Sequence, residues 1–580
     1  MQAEQTLIGR VVSVAGSEVI FLHEAPPNAN GGDSEPGSLQ IGSLVKMQNP
    51  ESTVFGMVSG LSIPVPGAKG EQGEMKIVEL ELLGEAPRNG AANGHSSNGH
   101  GGNGQANGAA AEAAVESSGE AEEPAGANGA NGALAPLNGK GGFQRGVSIF
   151  PSLGDKVFAT DQQDLSVVYA RPEASTVKIG TIHQDSGLPA YILTDDLLGR
   201  HFAVLGTTGS GKSCAVALIL RGILQRHGNA HIVLLDPHNE YWRTFGDAAE
   251  VLSPENLQLP YWLLNFEEIV EVVLGNESRD VSASVAILHD GIASAKRQFL
   301  KSDDDEISIT VDTPLPYRLT DLIQHVDDEM GKLDKPEDTA PYHKVKNRLN
   351  ALRADKRFAF MFGGLSVRDN MSEILSRILR IPVDGKPVTI MDLSGVPSEI
   401  LNVVVSVLCR ITFDFGLWSE RAVPILLVCE EAHRYAPQNT EAGFEPTKRA
   451  LSRIAKEGRK YGVSLCVVSQ RPSELATDML SQCNTIFAMR LSNENDQDFV
   501  RAAMSDNAIG IIDFLPSLHN GEAIAVGEGV PVPVRLSFEE LPEEHRPQSG
   551  TASFSSAWQK ESQDKEFLNE VISRWRRQRR

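Results

Sequence analysis

The sequence predicts an α/β fold in which a mostly parallel sheet carries an inserted helical subdomain and follows a small N-terminal β-barrel. Three observations predict it. Short apolar runs alternate with helical segments from about Leu197 onward, helical periodicity dominates between Glu267 and Arg380, and short alternating strands with glycine and proline turns come first. Continuous apolar runs are typical of parallel strands buried on both faces, whereas short alternating strands are typical of a barrel.

The β-barrel is predicted over residues 1–185, interrupted by a low-complexity linker at residues 86–141. The linker contains eight Asn-Gly pairs and few large apolar side chains, which predicts disorder. Because a loop insertion costs little stability, we interpret the strands on both sides of the linker as one barrel. These strands are predicted at Leu7–Val14, Glu18–His23, Ser43–Met47, Val54–Leu61, Lys76–Leu83, Ser148–Phe150, Lys156–Ala159, Leu165–Tyr169 and Thr176–Thr181.

The larger domain is predicted over residues 186–545, with the helical insertion at about 267–380. Its buried strands are predicted at Phe202–Leu205, Ile232–Leu235, Val388–Leu393, Ile425–Cys429, Ser464–Ser469 and Thr485–Met489. Alternation of such strands with helices indicates a doubly wound sheet. A late hairpin is expected at Glu522–Val526 and Val532–Leu536, and the tail at 546–580 is predicted to be an amphipathic helix that ends in a basic cluster.

The first apolar run leads into a complete G-x-x-x-x-G-K-S motif, followed by a mostly apolar helix from Cys214. A strand, a glycine turn and a helix N-terminus direct several backbone N–H groups to one point, which suits phosphate. The lysine would contact the β- and γ-phosphates, and the serine would contact Mg²⁺. The motif therefore predicts ATP and Mg²⁺ as cofactors, with the binding residues Gly206, Thr207, Thr208, Gly209, Ser210, Gly211, Lys212 and Ser213.

Three polar groups follow other predicted strands and are expected beside the phosphate loop, because carboxyl ends of parallel strands share one edge. Glu430 and Glu431 end the strand at Ile425–Cys429. We take Glu431 as the base that activates water and Glu430 as the metal partner, with Glu430 as the first alternative base. Asp236 would support Mg²⁺, unless Asp-Pro is simply a turn. Gln470 would read the γ-phosphate, unless it belongs to an ordinary polar loop.

An arginine that follows a predicted helix at Thr447–Glu457 is a candidate for the site of a neighbouring subunit. Gly458 is a plausible helix C-cap, after which Arg459 and Lys460 would be displayed on a loop. An arginine that reaches a neighbour's γ-phosphate would stabilise charge in the transition state. The alternative is a solvated charge on a surface loop.

Together these motifs resemble the HerA family of hexameric DNA-translocating ATPases, within the HerA–FtsK superfamily. The resemblance rests on Gly199–His201, Gly206–Ser213, Asp236–Tyr241, Met391–Gly395, Glu430–Pro437, Glu457–Gly462 and Ser469–Pro472. It implies a P-loop (RecA-like) core after the barrel, Glu431 as catalytic carboxylate and Gln470 as sensor. It further implies Arg459 as the trans-acting finger and Arg200 as a second arginine nearby.

The resemblance also implies a homo-hexamer that binds DNA and works with a nuclease in DNA end processing, repair or defence. Two features depart from the family. Many relatives carry glycine where this chain has Asn239, and the Asn-Gly linker is not a family feature. Two other functions compete: a conjugation- or secretion-type motor, and a nucleotide-gated scaffold that regulates a partner nuclease.

Composition limits where DNA can bind and where the protein works. A net charge of -23 excludes a generally basic surface, so DNA would need a local site. The N-terminus lacks a signal pattern, no run of about 18 apolar residues predicts membrane insertion, and the five cysteines show no metal or disulfide spacing, which together favour the cytoplasm. Two basic clusters are candidates for DNA: Lys344, Lys346, Arg348, Arg353, Lys356 and Arg357 in the insertion, and Arg574, Arg576, Arg577, Arg579 and Arg580 in the tail.

Overall fold

A computed structural model describes residues 6–23, 39–63, 76–87, 142–275, 282–300, 309–363, 367–396, 398–439, 444–504, 509–548, 554–559 and 565–577. The chain forms two compact units, Met1–Glu173 and Ala174–Arg580. Most of the predicted linker, residues 88–141, lies outside the described residues. Its first two residues do not behave as linker, because Ala86 and Pro87 end a strand of the first unit.

The first unit is an antiparallel sheet of seven strands, six of which close into a barrel. Its strands are β1 (Leu7–Ala15), β2 (Glu18–His23), β3 (Leu44–Gln48), β4 (Ser52–Ser62), β5 (Lys76–Pro87), β6 (Gln144–Arg145) and β7 (Lys156–Ala159). The order β2-β1-β7-β3-β4-β5 closes through pairing of β2 with β5, and β6 pairs at the side of β5. Inward-facing residues such as Phe21, Met47 and Val157 are fully buried and form one core across both sides of the linker.

Two predicted barrel strands are wrong, and a third is confirmed as a strand but does not belong to the barrel. Leu165–Tyr169 lies mainly in helix α1 (Gln162–Val168), because Asp161 and Asp164 form a capping box that starts a helix. Ser148–Phe150 is irregular. Thr176–Thr181 belongs to strand β8 (Thr176–Ile182), which pairs with the hairpin strand at Val534–Phe538 in the second unit. The second unit therefore begins before residue 186.

The second unit contains a sheet of eleven strands whose first seven, in spatial order, are parallel. The order is β12-β13-β11-β14-β15-β10-β16-β17-β18-β8-β9. The further strands are β9 (Pro189–Leu193), β10 (His201–Leu205), β11 (Ile232–Asp236), β12 (Ala249–Leu252), β13 (Val388–Asp392), β14 (Ile425–Cys429), β15 (Val463–Ser469), β16 (Cys483–Met489), β17 (Glu522–Gly527) and β18 (Val534–Phe538). All six predicted buried strands and the late hairpin are confirmed.

Helices surround this sheet and, within the described ranges, only helices and irregular segments separate β12 from β13. The helices of that block are α4 (Phe266–Leu274), α5 (Ser282–Leu300), α6 (Leu319–Met330), α7 (Pro336–Ala354), α8 (Ala359–Phe362) and α9 (Met371–Leu379). The others are α2 (Thr194–Leu198), α3 (Lys212–Arg226), α10 (Ser398–Trp418), α11 (Glu445–Glu457), α12 (Thr477–Ser481), α13 (Glu494–Ala503), α14 (Ile509–Ile512), α15 (Phe554–Trp558) and α16 (Lys565–Arg577).

One helix passes a length and composition test for a membrane span. Ile400–Trp418 in α10 has a mean hydropathy of 1.8, but 67% of the span is buried inside the protein. It packs along α11, where Thr447 donates a hydrogen bond of 2.7 Å to the carbonyl oxygen of Asn402. Such burial is typical of a core helix rather than of a lipid-facing one.

Candidate active site

The predicted phosphate loop connects β10 to α3 at the carboxyl edge of the sheet, and its glycines have backbone angles that favour glycine. The φ angles are 158° at Gly206, 78° at Gly209 and 106° at Gly211. At Gly206 a β-carbon would lie only 2.7 Å from Ser210 Oγ and 2.9 Å from Met489 Cβ. The sequence therefore specifies a tight turn that exposes backbone N–H groups at the start of α3.

Neighbouring strands stabilise this loop through its main chain. The N–H of Gly206 donates to the carbonyl oxygen of Ser469 at 3.2 Å, and the N–H of Thr207 donates to that of Arg490 at 2.9 Å. On the other side, the N–H of Gly521 donates to the carbonyl oxygen of Ser210 at 2.9 Å. The ends of β15, β16 and the late hairpin thus fix the loop.

Lys212 is 8% exposed and points back into the loop, where its Nζ donates to the carbonyl oxygen of Thr207 at 3.2 Å. Burial lowers the pKa of Lys212, and the neighbouring carboxylates, Glu431 first among them, oppose that shift. The side chain is a desolvated cation surrounded by acids, which would gain from an anionic partner such as a phosphate.

The segment after β11 forms a tight turn organised by Asp236. Its two carboxylate oxygens accept the N–H groups of His238 at 3.2 Å and Tyr241 at 2.9 Å. Asn239 lies in this turn with a φ of 56°, a left-handed conformation that glycine adopts freely and asparagine tolerates best among other residues. Asparagine at position 239 is therefore compatible with this backbone conformation. Asp236 as a metal ligand stays a prediction.

The turn directs Glu240 at the phosphate loop, which sequence reasoning missed. Ser213 Oγ donates to Glu240 Oε2 at 2.8 Å, and the Ser213 hydroxyl also contacts the Tyr241 phenol. The sequence contained a signal for this position, because Glu240 lies in the polar segment directly after a buried strand. Serine and carboxylate oxygens are the ligand types that Mg²⁺ accepts.

Glu430 is buried at the end of β14 and accepts the hydroxyl hydrogen of the fully buried Tyr241. Burial raises the pKa of Glu430 to about 8, although the bond from Tyr241 opposes part of that shift. Tyr241 thus connects Glu430 to Ser213. The role of Glu430 as metal partner stays a prediction. A nearby cation would favour the ionised form of the Glu430 carboxyl.

Glu431 and Gln470 lie together beside the phosphate loop, as predicted. Gln470 Nε2 donates to Glu431 Oε1 at 2.8 Å, while Gln470 Oε1 accepts the hydroxyl hydrogen of Thr208. The other carboxylate oxygen, Glu431 Oε2, is buried and has no hydrogen-bond partner among the described residues. Glu431 has a φ of 52°, a conformation that is costly for glutamate and concentrates at functional sites.

Arg459 and Arg200 do not meet this site within one chain. Arg459 is exposed on the 3-10 helix Gly458–Tyr461 before β15, and Arg200 comes directly before β10. Both therefore lie at the amino edge of the sheet, a strand length of about 16 Å from the phosphate loop. Arg200 forms an ion pair with Glu528, whereas Arg459 forms none with the described residues.

The basic clusters are partly neutralised. Lys346 pairs with Asp327 at 2.6 Å, and Arg357 pairs with Asp355 at 2.7 Å. In the tail, Arg574 pairs with Glu570 at 2.9 Å, and the last three residues lie outside the described residues. Arg348 and Arg353 are exposed on α7 and form no ion pair with described residues, so they are the stronger part of the insertion cluster.

Comparison with known proteins confirms the resemblance to the HerA family. Residues 177–412 match the family described as the central domain of helicase HerA. The DNA double-strand break repair helicase HerA of Pyrococcus furiosus is 28% identical over 453 residues, covering 69% of this chain and 75% of the relative. The protein of that name from Sulfolobus acidocaldarius is 25% identical, covering 73% of this chain and 80% of the relative.

Solved structures that match this chain include VirB4 of Thermoanaerobacter pseudethanolicus and the plasmid coupling protein TrwB in complex with ADP and Mg²⁺. VirB4 is 15% identical, with a TM-score of 0.45 over 64% of this chain and 99% of its own. TrwB is 16% identical, with a TM-score of 0.43 over 67% of this chain and 95% of its own.

Proposed function

We propose that this chain, which resembles the HerA family over 69% of its length, is an ATP-driven DNA translocase or helicase. It is an ATP hydrolase of the helicase type. The observation that carries this proposal is the hydrogen-bonded series Thr208–Gln470–Glu431, which joins the phosphate loop to a carboxylate. Through such a series, the gain or loss of a γ-phosphate would change the hydrogen bonds of Gln470 and Glu431, and so affect the rest of the motor.

The phosphate loop has the features that a nucleoside triphosphate requires. Its glycines leave room for close backbone approach, and Ser210 Oγ is buried with no hydrogen-bond partner among described groups. Lys212 would exchange its bond to the Thr207 carbonyl for one to the β- and γ-phosphates. The backbone N–H groups at the start of α3 would hold the β-phosphate.

Mg²⁺ would be held through the Ser213 hydroxyl, with Glu240 and Glu430 reaching its water shell. Within the described ranges no three His, Cys, Asp or Glu side chains group into a metal cage. A P-loop site does not require one, because Mg²⁺ keeps several waters and binds through few protein ligands and the phosphates. The ion would neutralise charge on the phosphate oxygens.

Glu431 would activate the attacking water through Oε2, the buried oxygen without a hydrogen-bond partner. Gln470 holds Oε1, so the carboxylate keeps one oxygen for orientation and one for the proton of water. The positive φ of Glu431 supports this role, since such strain persists where the surrounding structure imposes a conformation.

Arg459 and Arg200 would complete the site of a neighbouring subunit, because both lie at the edge opposite their own phosphate loop. That arrangement supports a ring in which one subunit's arginines would reach the next subunit's ATP. We further propose that the ring is a hexamer, that it acts in the cytoplasm, and that a nuclease partner uses the translocated DNA.

DNA-dependent hydrolysis tests the proposal. Duplex DNA should raise the ATPase rate of the full chain, and Lys212→Ala should abolish both nucleotide binding and hydrolysis. Hydrolysis without any DNA response would instead favour the nucleotide-gated scaffold. A result of no hydrolysis at all in the unaltered chain would overturn the proposal.

Charge reversal of Arg348 and Arg353 to glutamate tests where DNA binds. The log–log slope of affinity against salt should flatten by about 0.9 for each lost phosphate contact. DNA stimulation should fall while basal ATPase persists. Lys332→Glu, an exposed cation of the same insertion that pairs with Glu329, is the matched control. An unchanged slope would move the DNA site elsewhere.

A further inference from the structure

We propose that Asp496 is a positioning residue for Gln470: it fixes the sensor loop, residues 470–474 after β15, so that the amide stays aligned between Glu431 and the phosphate loop. This inference rests on the proposed function, in which Gln470 is the sensor. Asp496 lies on α13, outside the motifs that carry the family resemblance, and sequence reasoning gave it no role.

Asp496 holds the sensor loop through two hydrogen bonds to one residue. Asp496 Oδ1 accepts the N–H of Ser473 at 3.0 Å and the hydroxyl hydrogen of Ser473 at 2.6 Å. Ser473 lies in the 3-10 turn Pro472–Glu474, which follows Gln470 and Arg471. Asp496 is 5% exposed, so water competes little for either bond, and bonds to a carboxylate are stronger than bonds between neutral groups.

The position of Asp496 in its own helix shows that this carboxylate oxygen is not used as a helix cap. The N-cap of α13 is Asn493, whose side chain accepts the N–H of Asn495 at 3.0 Å. Asp496 is the third residue of the helix, a position from which an acidic side chain can reach back to the N-cap residue. Its Oδ1 instead reaches across to Ser473. The carboxylate therefore joins the segments that follow β15 and β16.

The segment between β16 and α13 also holds the phosphate loop. The carbonyl oxygen of Arg490, directly after β16, accepts the N–H of Thr207 at 2.9 Å and its hydroxyl hydrogen at 3.0 Å. The next residue of the phosphate loop, Thr208, donates its hydroxyl hydrogen to Gln470 Oε1. Asp496 therefore completes a closed set of contacts between the phosphate loop, the segment after β16 and the sensor loop.

This set of contacts determines where the Gln470 amide lies. Gln470 Nε2 donates to Glu431 Oε1, and Gln470 Oε1 accepts from Thr208, so both contacts depend on the position of one amide. A sensor loop released from Asp496 would let the amide move away from both partners, and Glu431 would lose its bond at Oε1. We therefore expect Asp496 to affect turnover rather than nucleotide affinity, because the phosphate-binding N–H groups belong to other residues.

Substitutions at both ends of the contact test this role. Asp496→Ala should lower kcat by about 10- to 100-fold, since a misplacement of about 1 Å can cost about 10²-fold. Asp496→Asn should keep most of kcat, because its amide oxygen can still accept both hydrogens. Ser473→Ala removes only the hydroxyl bond and should lower kcat less than Asp496→Ala. Kd for a fluorescent ATP analogue should stay within about twofold in all three variants, since turnover and not binding depends on the sensor.

A double-mutant cycle with Gln470 separates positioning from folding. If Asp496 acts through Gln470, Asp496→Ala should lower kcat much less in a Gln470→Ala background than in the unaltered chain, because residues that act as a unit are not additive. A purely structural role predicts the same fold loss of kcat in both backgrounds.

Glu85→Ala in the barrel is the matched control. Glu85 also accepts the N–H and the hydroxyl hydrogen of one serine, Ser148, at 3.2 and 2.5 Å. The substitution removes the same pair of bonds from a carboxylate outside the second unit. It should therefore leave kcat unchanged.

Three results would each overturn the positioning role while leaving the ATPase assignment intact. These are kcat within about twofold of normal in folded Asp496→Ala, a loss in Asp496→Asn as large as in Asp496→Ala, and equal fold losses in both backgrounds of the cycle. Normal turnover in Gln470→Ala would instead overturn the sensor assignment, which belongs to the proposed function, and with it the role of Asp496.

Discussion

The two edges of the large sheet differ in how completely their charged groups are paired within one chain. At the carboxyl edge, Lys212, Glu240 and Glu430 all have hydrogen-bond partners around the phosphate loop. At the amino edge, Arg200 pairs with Glu528, whereas Arg459 and Lys460 are exposed and Arg459 forms no ion pair with the described residues. The carboxyl edge is therefore suited to bind an anion, whereas the amino edge exposes Arg459, a cation with no acidic partner among the described residues.

This difference is what the proposed ring requires, in which one chain would provide two halves of a site rather than one complete site. The carboxyl edge would supply phosphate binding and a base, but the buried Lys212 there faces three carboxylates. A transition state with spread negative charge would need a further cation, which the amino edge of another copy can supply.

The largest effect is expected at Arg459. Arg459→Ala should lower kcat by about 10³- to 10⁵-fold, because it removes charge stabilisation from the transition state. Lys460→Ala, at the neighbouring exposed cation, should change kcat little. Both are measured as steady-state ATPase at saturating DNA, with ring size checked by light scattering.

Mixing two inactive variants tests whether Arg459 acts at the active site of a neighbouring subunit. Rings that combine Arg459→Ala with Glu431→Gln subunits should recover some activity, because certain interfaces then hold an intact base and an intact arginine. No recovery in verified mixed rings would contradict the trans role. A monomer with full ATPase activity would contradict it as well.

The next effect is expected at Glu431, on the opposite edge. Glu431→Gln should lower kcat by about 10²- to 10⁴-fold, since it removes the base but not the phosphate contacts. ATP should still bind, as measured with a fluorescent analogue, in contrast to Lys212→Ala. Glu457→Gln, at an exposed carboxylate of α11, is the matched control. If only Glu430→Gln abolishes turnover, the base and metal roles are exchanged.

Local sequence patterns predicted much of this arrangement. Ile425–Cys429 and the other parallel strands were found because burial on both faces leaves continuous apolar runs. Glu431 and Gln470 followed, since polar residues after such strands must meet at one edge. These inferences require only the position and direction of each strand, and not the identity of the strand that pairs with it.

Contacts between segments that lie far apart in the sequence could not be predicted. Strand β8 was placed in the barrel because one of its partners, β18, lies far along the chain, and a short strand carries no sign of such a partner. Its other partner, β9, follows directly but was not predicted as a strand. The bond between Thr208 and Gln470 joins residues 262 positions apart. Helix α1 is a different case, because its capping box at Asp161 and Asp164 is a local signal that the strand interpretation overlooked.

The smallest effect is expected at Asn239, where the shape of the carboxyl edge depends on one left-handed residue. Asn239→Gly should leave the free energy of unfolding nearly unchanged, because relief of backbone strain and the entropy of an added glycine oppose each other. Asn239→Val should cost about 1–2 kcal/mol, since a β-branched residue tolerates this conformation poorly. Asn239 Oδ1 is buried without a partner, so neither change breaks a hydrogen bond of that atom.

The comparison of Gly with Val at position 239 is its own control, because both remove the same amide. Thermal unfolding should show a lower melting temperature for Asn239→Val only. The same variant should weaken the dependence of ATP binding on Mg²⁺, since the turn directs Glu240 to within 2.8 Å of Ser213. Equal melting temperatures would mean that the turn tolerates another backbone conformation. The carboxyl edge would then be shaped by the contacts of Asp236 and Tyr241 rather than by the conformation of this residue.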